Sequence, residues 1–524
     1  MSFISWQFPL FLIGFILIYW RLPHRQRLWF LLVGSYAFYA FWDVRFLALV
    51  FTTTVVDFLC GLGIQGERRS LRVIVLLSLL PFAWLLGCFG FIPRSGIDLN
   101  LLTIALGISL AFLGVYLLIW HLPDSLRPRG FLLLSICLCL SILGYFKYCN
   151  FFSESAKSAL SFLGLRPDWP TWYIILPVGI SFYTFQSLAY VIDLYRGQAV
   201  VCRDFLIFAV FDAFFPQLVA GPIERSRHLI PQLEKDIIFV GNYLNDGLRL
   251  ILIGLFKKVF VADNCALLAN YVFAPQTALN GAWALIGGVA FAFQIYGDFS
   301  GYTDIARGTA KMLGIDLVQN FRYPYLAKDP SDFWSRWHIS LSTWFRDYVY
   351  IPLGGNRGRD WQTVRNLMVT MLLAGLWHGA SWVFVLWGAY HGVLLTLYRF
   401  SPLRVLNRKQ FAWLWQDWLA RLLMFGFTLI GWAIFRSPDL TRFWTWLMAL
   451  GNWGPAELPW LSSLGWLLLH LVPLMLLQIA ASRFEDETKL VHLHWATRGV
   501  LYFVMILLIV SSTEHDQEFI YFQF

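Results

Sequence analysis

Apolar segments recur along the whole of this 524-residue chain and are separated only by short polar breaks. Hydrophobic residues make up 58% of the sequence and charged residues only 14%, whereas a soluble domain carries about 25% charged residues. The mean hydropathy is +0.62. This pattern excludes a chain of soluble domains. We expect an all-α polytopic membrane protein, because helices satisfy their own backbone hydrogen bonds in lipid.

The sequence predicts thirteen apolar helical segments and a single membrane domain over residues 1–524, without a soluble module. Several segments are shorter than the roughly 20 residues that a perpendicular helix needs, so tilted or re-entrant helices are expected. The segments are 6–20, 28–43, 45–64, 73–92, 99–120, 130–150, 172–195, 247–271, 281–298, 366–398, 417–435, 462–481 and 497–512.

The net charge of +9 comes from basic residues that cluster in the breaks between apolar segments, which is not the pattern of a nucleic-acid-binding protein. Four such clusters each lie two segments apart, so all four are predicted on the cytoplasmic side. This parity places the N-terminus outside, and further clusters at Arg399/Arg404/Arg408 and Arg483/Lys489 place the C-terminal FIYFQF outside as well. The four clusters are Arg21/Arg25/Arg27, Arg68/Arg69/Arg72, Arg127/Arg129 and Arg196/Arg203.

The segment 366–398 lies between basic clusters on both sides, which does not fit one crossing. Its 33 residues would form about 50 Å of helix, too long for a single span. A broken hairpin or re-entrant pair fits better, with the break near His378 and Gly379. Irregular backbone at membrane depth is tolerated only where it is buried in protein or lines a cavity, so His378 should face the protein interior.

His378 and His338 are the candidate catalytic residues, because imidazole exchanges a proton close to neutral pH and ionisable groups at membrane depth are costly. The alternative for His378 is a structural histidine bonded to a backbone carbonyl. His338 lies in a predicted amphipathic helix, where an interfacial histidine is an equal alternative. His391 and His470 are interpreted as packing or core residues. The apolar stripe of that helix is Phe333, Trp337, Leu341, Trp344 and Tyr348.

Two other segments are too polar or too irregular for a simple span. The stretch 214–233 carries Pro216, Pro222 and Pro231 and is predicted as a broken, partly inserted segment. The stretch 294–308 places many polar groups beside an apolar span, so they must hydrogen-bond with one another or face water. These groups are Gln294, Asp298, Ser300, Thr303 and Asp304.

Several catalytic motifs are absent from the sequence. There is no HExxH pattern and no metal-type cysteine spacing, so no metal site is expected. The absence of a P-loop and of a GxSxG motif disfavours nucleotide hydrolysis and a serine acyl-enzyme. A nucleophile must then come from a substrate or a partner. Two functions remain open on residues alone: proton abstraction from an alcohol that attacks a thioester or ester, and proton-coupled transport with Asp298 and Asp304 as relays.

Long motifs throughout the chain resemble the membrane-bound O-acyltransferase (MBOAT) superfamily, and within it the bacterial alginate O-acetylase-like branch. The resemblance covers nearly the whole length. The motifs are SYAFYAFWDVRFLALV (35–50), ILPVGISFYTFQSLAYVIDLYRG (175–197), FFPQLVAGPIERSRHLIPQL (214–233), QIYGDFSGYTDIARGTAKMLGI (294–315), NFRYPYLAKDPSDFWSRWHISLSTWFRDYVYIPLGGNRG (320–358), LLAGLWHGASWVFVLWGAYHG (372–392) and FIYFQF.

The resemblance implies a ring of tilted helices around a central tunnel, with re-entrant and interfacial helices, a catalytic core region at 206–398 and C-terminal helices at 417–524. His378 matches the near-universal histidine of the family, and His338 matches a second position that is asparagine or aspartate in other branches. The residues that we expect to line the tunnel or support the site are Gln294, Asp298, Ser300, Asp304, Arg336 and Trp377.

The resemblance also implies the reaction. We expect an O-acyltransferase in the bacterial cytoplasmic (inner) membrane, surrounded by lipid, that O-acetylates an extracytoplasmic, alginate-like polysaccharide. The expected donor is acetyl-CoA, with no bound cofactor, and the expected partner is an extracytoplasmic protein resembling SGNH hydrolases. Two alternatives remain: D-alanyl transfer to polymers of the teichoic acid type, and, from a different class, a proton-coupled polysaccharide exporter. Neighbouring genes for such a partner and for glycan synthases would favour acetylation.

Overall fold

The computed structural model describes residues 3–91, 97–165, 167–275, 277–401, 415–454, 460–482, 494–512 and 519–520. Within these ranges the regular structure is entirely helical. Seven of the helices described there are long and apolar enough to cross a membrane, or eight if the bent pair Leu71–Ser78 and Leu80–Gly90 forms one span. The prediction of an all-α polytopic membrane protein is confirmed. The ring of helices around a tunnel stays a prediction.

The chain divides into two compact units. The first contains the described residues up to Leu244 together with Thr309–Leu317, and the second contains Asn245–Gly308 and the described residues from Val318 onward. Helices Gly241–Leu255 and Gly281–Met312 have residues in both units. The single domain over 1–524 and the core region at 206–398 stay predictions.

The helices of the first unit surround a buried helix, Leu47–Ile64. The α-helices are Gln7–Tyr19, His24–Ala40, Leu47–Ile64, Leu71–Ser78, Leu80–Phe91, Leu99–Ile119, Arg127–Leu143, Cys149–Phe162, Ile180–Tyr195, Phe205–Ala213, Phe215–Leu218 and Ser226–Glu234, with a 3₁₀ turn at Val44–Phe46 and a π-helical turn at Gly144–Tyr148.

The second unit contains long apolar helices and several short helices between them. The α-helices are Gly241–Leu255, Asp263–Phe273, Gly281–Met312, Pro330–Trp334, Ile339–Phe345, Asp360–His378, Trp382–Phe400, Trp415–Arg436, Leu440–Ala449, Trp460–Ala481 and Trp495–Val510, with π-helical turns at Phe256–Ala262 and Arg346–Tyr350 and a 3₁₀ turn at Pro324–Leu326.

The core of the first unit holds two buried carboxyl groups, Asp57 and Asp212, that accept hydrogen bonds from neighbouring hydroxyl groups. Asp57 accepts a hydrogen bond from the Ser135 hydroxyl at 2.5 Å between Oδ1 and Oγ. The Asp212 Oδ2 atom lies 2.5 Å from the Thr54 hydroxyl. These contacts compensate polar groups that would be costly to bury alone.

In the second unit, glycines let helices Gly241–Leu255 and Gly281–Met312 pack with their backbones close together. A Cβ atom added at Gly301 would lie 2.6 Å from the carbonyl oxygen of Gly254, and the reverse distance is also 2.6 Å. Close contact through small residues is typical of helix pairs in membranes. This approach brings the π-helical turn that follows the first helix up to the polar half of the second.

The segment predicted as a helix over 172–195 begins later than expected. The observed helix is Ile180–Tyr195, and the residues from 172 to 179 are irregular. Pro177 cannot donate a backbone hydrogen bond, and Gly179 has a left-handed φ of 77°. A helix interior tolerates neither feature well, so this prediction was wrong for its first third.

The segments predicted at 73–92, 130–150 and 281–298 also differ from the structure. The first is bent by 46° where one helix ends and the next begins, one residue before a proline. The second continues through a π-helical turn, so that the span is Arg127–Phe162. The third extends to Met312, because the buried residues Lys257 and Lys258 form ion pairs with its carboxylates.

The predicted break inside 366–398 is confirmed. Helix Asp360–His378 ends at the predicted histidine, and helix Trp382–Phe400 starts after three intervening residues and packs back against it. The segment 214–233 is broken, as predicted, into helices Phe215–Leu218 and Ser226–Glu234. Several residues used in the topology argument lie outside the described residues: Arg404, Arg408, Arg483, Lys489 and 521–524.

Candidate active site

His378 lies at the C-terminal end of the first helix of the hairpin, where the chain reverses. Gly379 follows it, and a side chain at that position would overlap the Phe384 ring, so the turn needs glycine. The imidazole is buried, with 4% of the residue exposed. The prediction that His378 faces the protein interior is confirmed.

Aromatic rings surround the His378 imidazole. Trp387, on the second helix of the hairpin, lies 4.9 Å away between ring centroids, and Phe435 lies 5.3 Å away. Both rings meet the imidazole nearly at right angles, at 81° and 77°. Such an apolar enclosure limits the access of water to the ring.

His338 lies in a break between two short helices, which corrects the prediction of one continuous amphipathic helix. Helix Pro330–Trp334 ends before it and helix Ile339–Phe345 begins after it. Its φ angle is +42°, and Tyr323 is the only other non-glycine residue with positive φ in the described part of the chain. This left-handed conformation is unfavourable for most side chains, so other contacts must hold it.

Those contacts come from Asn320, which the sequence analysis did not single out. The carbonyl oxygen of Asn320 accepts a hydrogen bond from the Ile339 N–H at 2.9 Å. Its side-chain Oδ1 accepts one from the Ser340 N–H at 3.2 Å and lies 3.1 Å from Nδ1 of His338. These tertiary hydrogen bonds replace the helical ones that the apolar stripe predicted.

The His338 ring is fully buried, with 0% of the residue exposed. It lies in the irregular part of the chain between Met312 and Asp360, outside the candidate spans. Burial lowers the pKa of His338 from its ordinary value to about 3. The ring is therefore neutral at physiological pH.

Trp377 lies between the two candidate catalytic residues. Its ring centroid is 5.8 Å from that of His338 and 5.1 Å from that of His378. Phe299 packs edge-on against the other side of His338, with the centroids 4.7 Å apart. The structure thus brings His338, Trp377 and His378 together, and all three are predicted site residues.

Two of the predicted polar residues on helix Gly281–Met312, Asp298 and Asp304, form buried ion pairs with two lysines of the π-helical turn Phe256–Ala262. Lys258 Nζ lies 2.9 Å from Asp298 and 2.7 Å from Asp263. Asp298 Oδ2 also accepts a hydrogen bond from the Ile520 N–H at 2.6 Å. This hydrogen bond attaches Ile520 to the helix at the residue that precedes Phe299.

A second ion pair lies further along the same helix. Lys257 Nζ lies 2.7 Å from Asp304 and 3.1 Å from the Ser300 hydroxyl. The side chains are buried, so each charge needs a partner of opposite sign. Asp298, Ser300 and Asp304 therefore fix the position of this helix, and their described polar contacts do not include either histidine.

The remaining two predicted site residues have different surroundings. Arg336 is partly exposed and pairs with Asp332, with 2.6 Å between Nε and Oδ1. Gln294 is buried, and its Oε1 atom has no hydrogen-bond partner among the described residues. Neither has a described polar contact with His338 or His378.

Sequence reasoning missed Asn320, Lys257, Lys258, Trp387 and Phe435. The lysines left a signal, because two adjacent cations inside the apolar segment 247–271 require buried counter-ions, and Asp298 and Asp304 were the available candidates. Asn320 and the two aromatic residues left no comparable signal in a single sequence.

Comparisons with known proteins agree with this arrangement. The family model of MBOAT, the membrane-bound O-acyltransferase family, matches residues 202–435. The probable alginate O-acetylase AlgI of Pseudomonas aeruginosa is 37% identical over 457 residues, which cover 86% of this chain and 75% of the relative. The peptidoglycan O-acetyltransferase of Helicobacter pylori is 32% identical over 82% of this chain and 75% of its own length.

The chain is also similar to the teichoic acid D-alanyltransferase of Bacillus subtilis, at 30% identity over 52% of this chain and 71% of the relative. These relatives transfer acyl groups, as their names state, and the long similarity to the O-acetylases covers both histidine motifs. The chain is a multi-pass membrane protein and an acyltransferase, and it belongs to the membrane-bound O-acyltransferase family.

Proposed function

We propose that this acyltransferase transfers an acetyl group from acetyl-CoA on the cytoplasmic side to an extracytoplasmic, alginate-like polysaccharide. The observation that carries the proposal is that two buried imidazoles, His338 and His378, both contact the Trp377 ring. The similarity to alginate and peptidoglycan O-acetylases over more than four-fifths of the chain supports acetyl as the transferred group.

In this reaction His378 is the general base. A hydroxyl oxygen of the acceptor attacks the carbonyl carbon of the thioester while His378 accepts the hydroxyl proton. The new C–O bond forms, the C–S bond breaks, and the proton passes from the imidazolium to the departing thiolate. The imidazole is restored, and the reaction needs no metal ion and no nucleophilic side chain of this protein.

In this proposal, the aromatic rings around His378 exclude water from the general base. Water admitted beside the base would hydrolyse the thioester and waste the acetyl group. Trp377, Trp387 and Phe435 each lie within 5.3 Å of the imidazole, measured between ring centroids, and fill the space that water would occupy.

We also propose that an extracytoplasmic partner resembling SGNH hydrolases takes part in the acceptor half of the reaction. Both histidines are almost completely buried, so a bulky polymer cannot reach them without a wide opening. A serine hydroxyl presented by a partner protein is small enough for a narrow entrance. That serine would accept the acetyl group and then pass it to the polysaccharide.

The donor and acceptor sides follow from the predicted topology. We place the protein in the bacterial cytoplasmic (inner) membrane with both termini outside, so that the basic segment 322–365 faces the cytoplasm and the donor. Helices such as Leu99–Ile119, whose apolar side chains are largely exposed, would contact membrane lipid.

Reconstitution tests the proposal. The purified protein is placed in liposomes that contain labelled acetyl-CoA, and the candidate partner and polysaccharide are added outside. We expect label on the polysaccharide only when the partner is present, and none with His378→Ala. Efficient labelling of the polysaccharide without any partner would overturn the relay.

The same liposomes test the nearest alternative, which the similarity to a teichoic acid D-alanyltransferase supports. Loading them with a D-alanyl carrier protein in place of acetyl-CoA should give no transfer. Transfer from that carrier, without transfer from acetyl-CoA, would replace O-acetylation with D-alanylation as the function. Movement of polysaccharide without transfer of any acyl group would favour the exporter.

A further inference from the structure

The hydrogen bonds of Asn320 determine which nitrogen of the His338 ring carries the hydrogen. Asn320 is buried, and three polar atoms lie within hydrogen-bond distance of its Oδ1 atom. These are the Ser340 N–H at 3.2 Å, the Ser340 hydroxyl at 3.0 Å and Nδ1 of His338 at 3.1 Å. All three belong to the break where His338 adopts its left-handed conformation.

The orientation of the Asn320 amide follows from the Ser340 backbone. A backbone N–H can only donate, so the atom of Asn320 that faces it must be the carbonyl oxygen and not the amino group. An amide oxygen can only accept. Its contact with Nδ1 of His338 is therefore a hydrogen bond only if Nδ1 carries a hydrogen.

A neutral imidazole has one ring hydrogen. Because burial keeps the His338 ring neutral, a hydrogen on Nδ1 leaves Nε2 with a lone pair. We propose that Asn320 is a positioning residue that holds His338 in the Nδ1–H tautomer, so that Nε2 can contact a bound substrate only as a hydrogen-bond acceptor. This inference rests on the acyl transfer proposed above.

The tautomer separates the tasks of the two histidines. A carbonyl oxygen or an oxyanion needs a hydrogen-bond donor, and Nε2 of this tautomer cannot donate. The attacking hydroxyl has one hydrogen, which passes to His378. Nε2 of His338 therefore accepts its hydrogen bond from another N–H or O–H group of a bound substrate and positions that substrate. Asn320 also holds the left-handed backbone of His338, because it binds the N–H groups of both following residues.

Nuclear magnetic resonance on the full-length protein in lipid bilayers tests the tautomer directly. The protein is labelled with ¹⁵N in its 10 histidines, and the signals missing from His338→Asn identify His338. We expect a protonated Nδ1 and an unprotonated Nε2. A protonated Nε2 in the unaltered protein would overturn the proposal.

Substitutions of Asn320 test its role. Asn320→Asp keeps the acceptor oxygen and removes an amino group that has no hydrogen-bond partner among the described residues, so it should keep the Nδ1–H tautomer. Asn320→Leu removes the acceptor and should give a mixture of tautomers. It should also lower kcat about 10²-fold or more, with little change in KM for acetyl-CoA.

Ser340→Ala is the matched control, because it removes one hydrogen bond to the same oxygen and leaves the contact with Nδ1. It should keep the tautomer of the unaltered protein. An unchanged tautomer in Asn320→Leu, together with lost activity, would mean that Asn320 acts only on the backbone and would overturn the proposal. If Asn320→Leu does not fold, the resonances of the unaltered protein and of Asn320→Asp test the tautomer. Absence of acetyl transfer by the unaltered protein would overturn the proposed function. The resonance experiment does not depend on activity, so it would still show whether Nδ1 or Nε2 of His338 carries the hydrogen.

Discussion

The ring of Trp377 lies edge-on to the imidazole of His338, with the centroids 5.8 Å apart. This contact joins the first helix of the hairpin to the irregular segment that carries His338. Trp377 directly precedes His378 in the chain, so one tryptophan ring contacts the imidazoles of both histidines. Changes at either histidine should therefore alter the chemistry locally, without loss of the surrounding helices.

His378→Ala should give normally inserted protein that transfers acetyl groups more slowly by about 10²- to 10⁴-fold, the contribution of a general base. The measurement is acetyl transfer per amount of folded protein. His470→Gln is the control, since this buried histidine bonds to the Trp466 carbonyl oxygen at 2.8 Å and has no proposed role in the reaction. Full activity of His378→Ala at matched protein level would remove the central claim.

His338→Asn should retain partial activity, whereas His338→Ala should retain less. Asparagine keeps a polar group and tolerates the left-handed backbone, which has a φ of +42° here, better than alanine does. Initial rates of acetyl transfer distinguish the variants. Total loss in His338→Asn would indicate that this ring transfers a proton, and full activity of both variants would mean that it has no role in the reaction.

Lys258→Met should destabilise the protein by about 3–5 kcal/mol, because Asp263 and Asp298 lose the buried ammonium group that they share. Thermal unfolding in detergent measures the effect as a lowered midpoint. Lys311→Met is the matched control. Its pair with Asp316 is partly exposed, and such pairs contribute about 0–1 kcal/mol. Equal losses in both variants would contradict the importance of the buried pair.

His228 should make the stability of the protein depend on pH. The adjacent Glu224 carboxylate, 2.8 Å away, raises the pKa of His228 above its usual value of about 6.5. The folded state therefore binds the proton more tightly, so this stabilisation is complete below pH of about 6.5 and is lost as the pH rises through the folded pKa. Unfolding midpoints at pH of about 6 and about 9 should differ less in His228→Gln. The same pH dependence in both proteins would contradict the assignment.

Single cysteines at Gly358 and at Phe524 should react with membrane-impermeant reagents from opposite sides of the membrane. The charge parity predicts that residues 322–365 and 399–409 are cytoplasmic and that both termini lie outside. Labelling is measured on intact and opened cells, in a background without the seven native cysteines. Reaction of both sites from the same side would refute the parity argument and the position of the donor entrance.

The sequence by itself determined the class of the protein and two of the places where the chain breaks, within 214–233 and at His378. Long apolar segments indicate that the helices are surrounded by lipid, and in lipid a segment must satisfy its own backbone hydrogen bonds. The class of helical membrane proteins therefore follows from composition. The break at His378 followed from a segment too long for one span. These features depend on local composition and length, which a single chain contains in full.

Only the tertiary structure decided how His338 is held. Its apolar stripe predicted a continuous helix, and the break arises because Asn320, distant in the chain, takes the hydrogen bonds of Ile339 and Ser340. The pairing of Asp298 with Lys258 likewise depends on two helices approaching at Gly254 and Gly301. Contacts between distant segments produce no periodic pattern in a single sequence, because they form only when the chain folds. Such contacts therefore cannot be predicted from the local sequence around either partner.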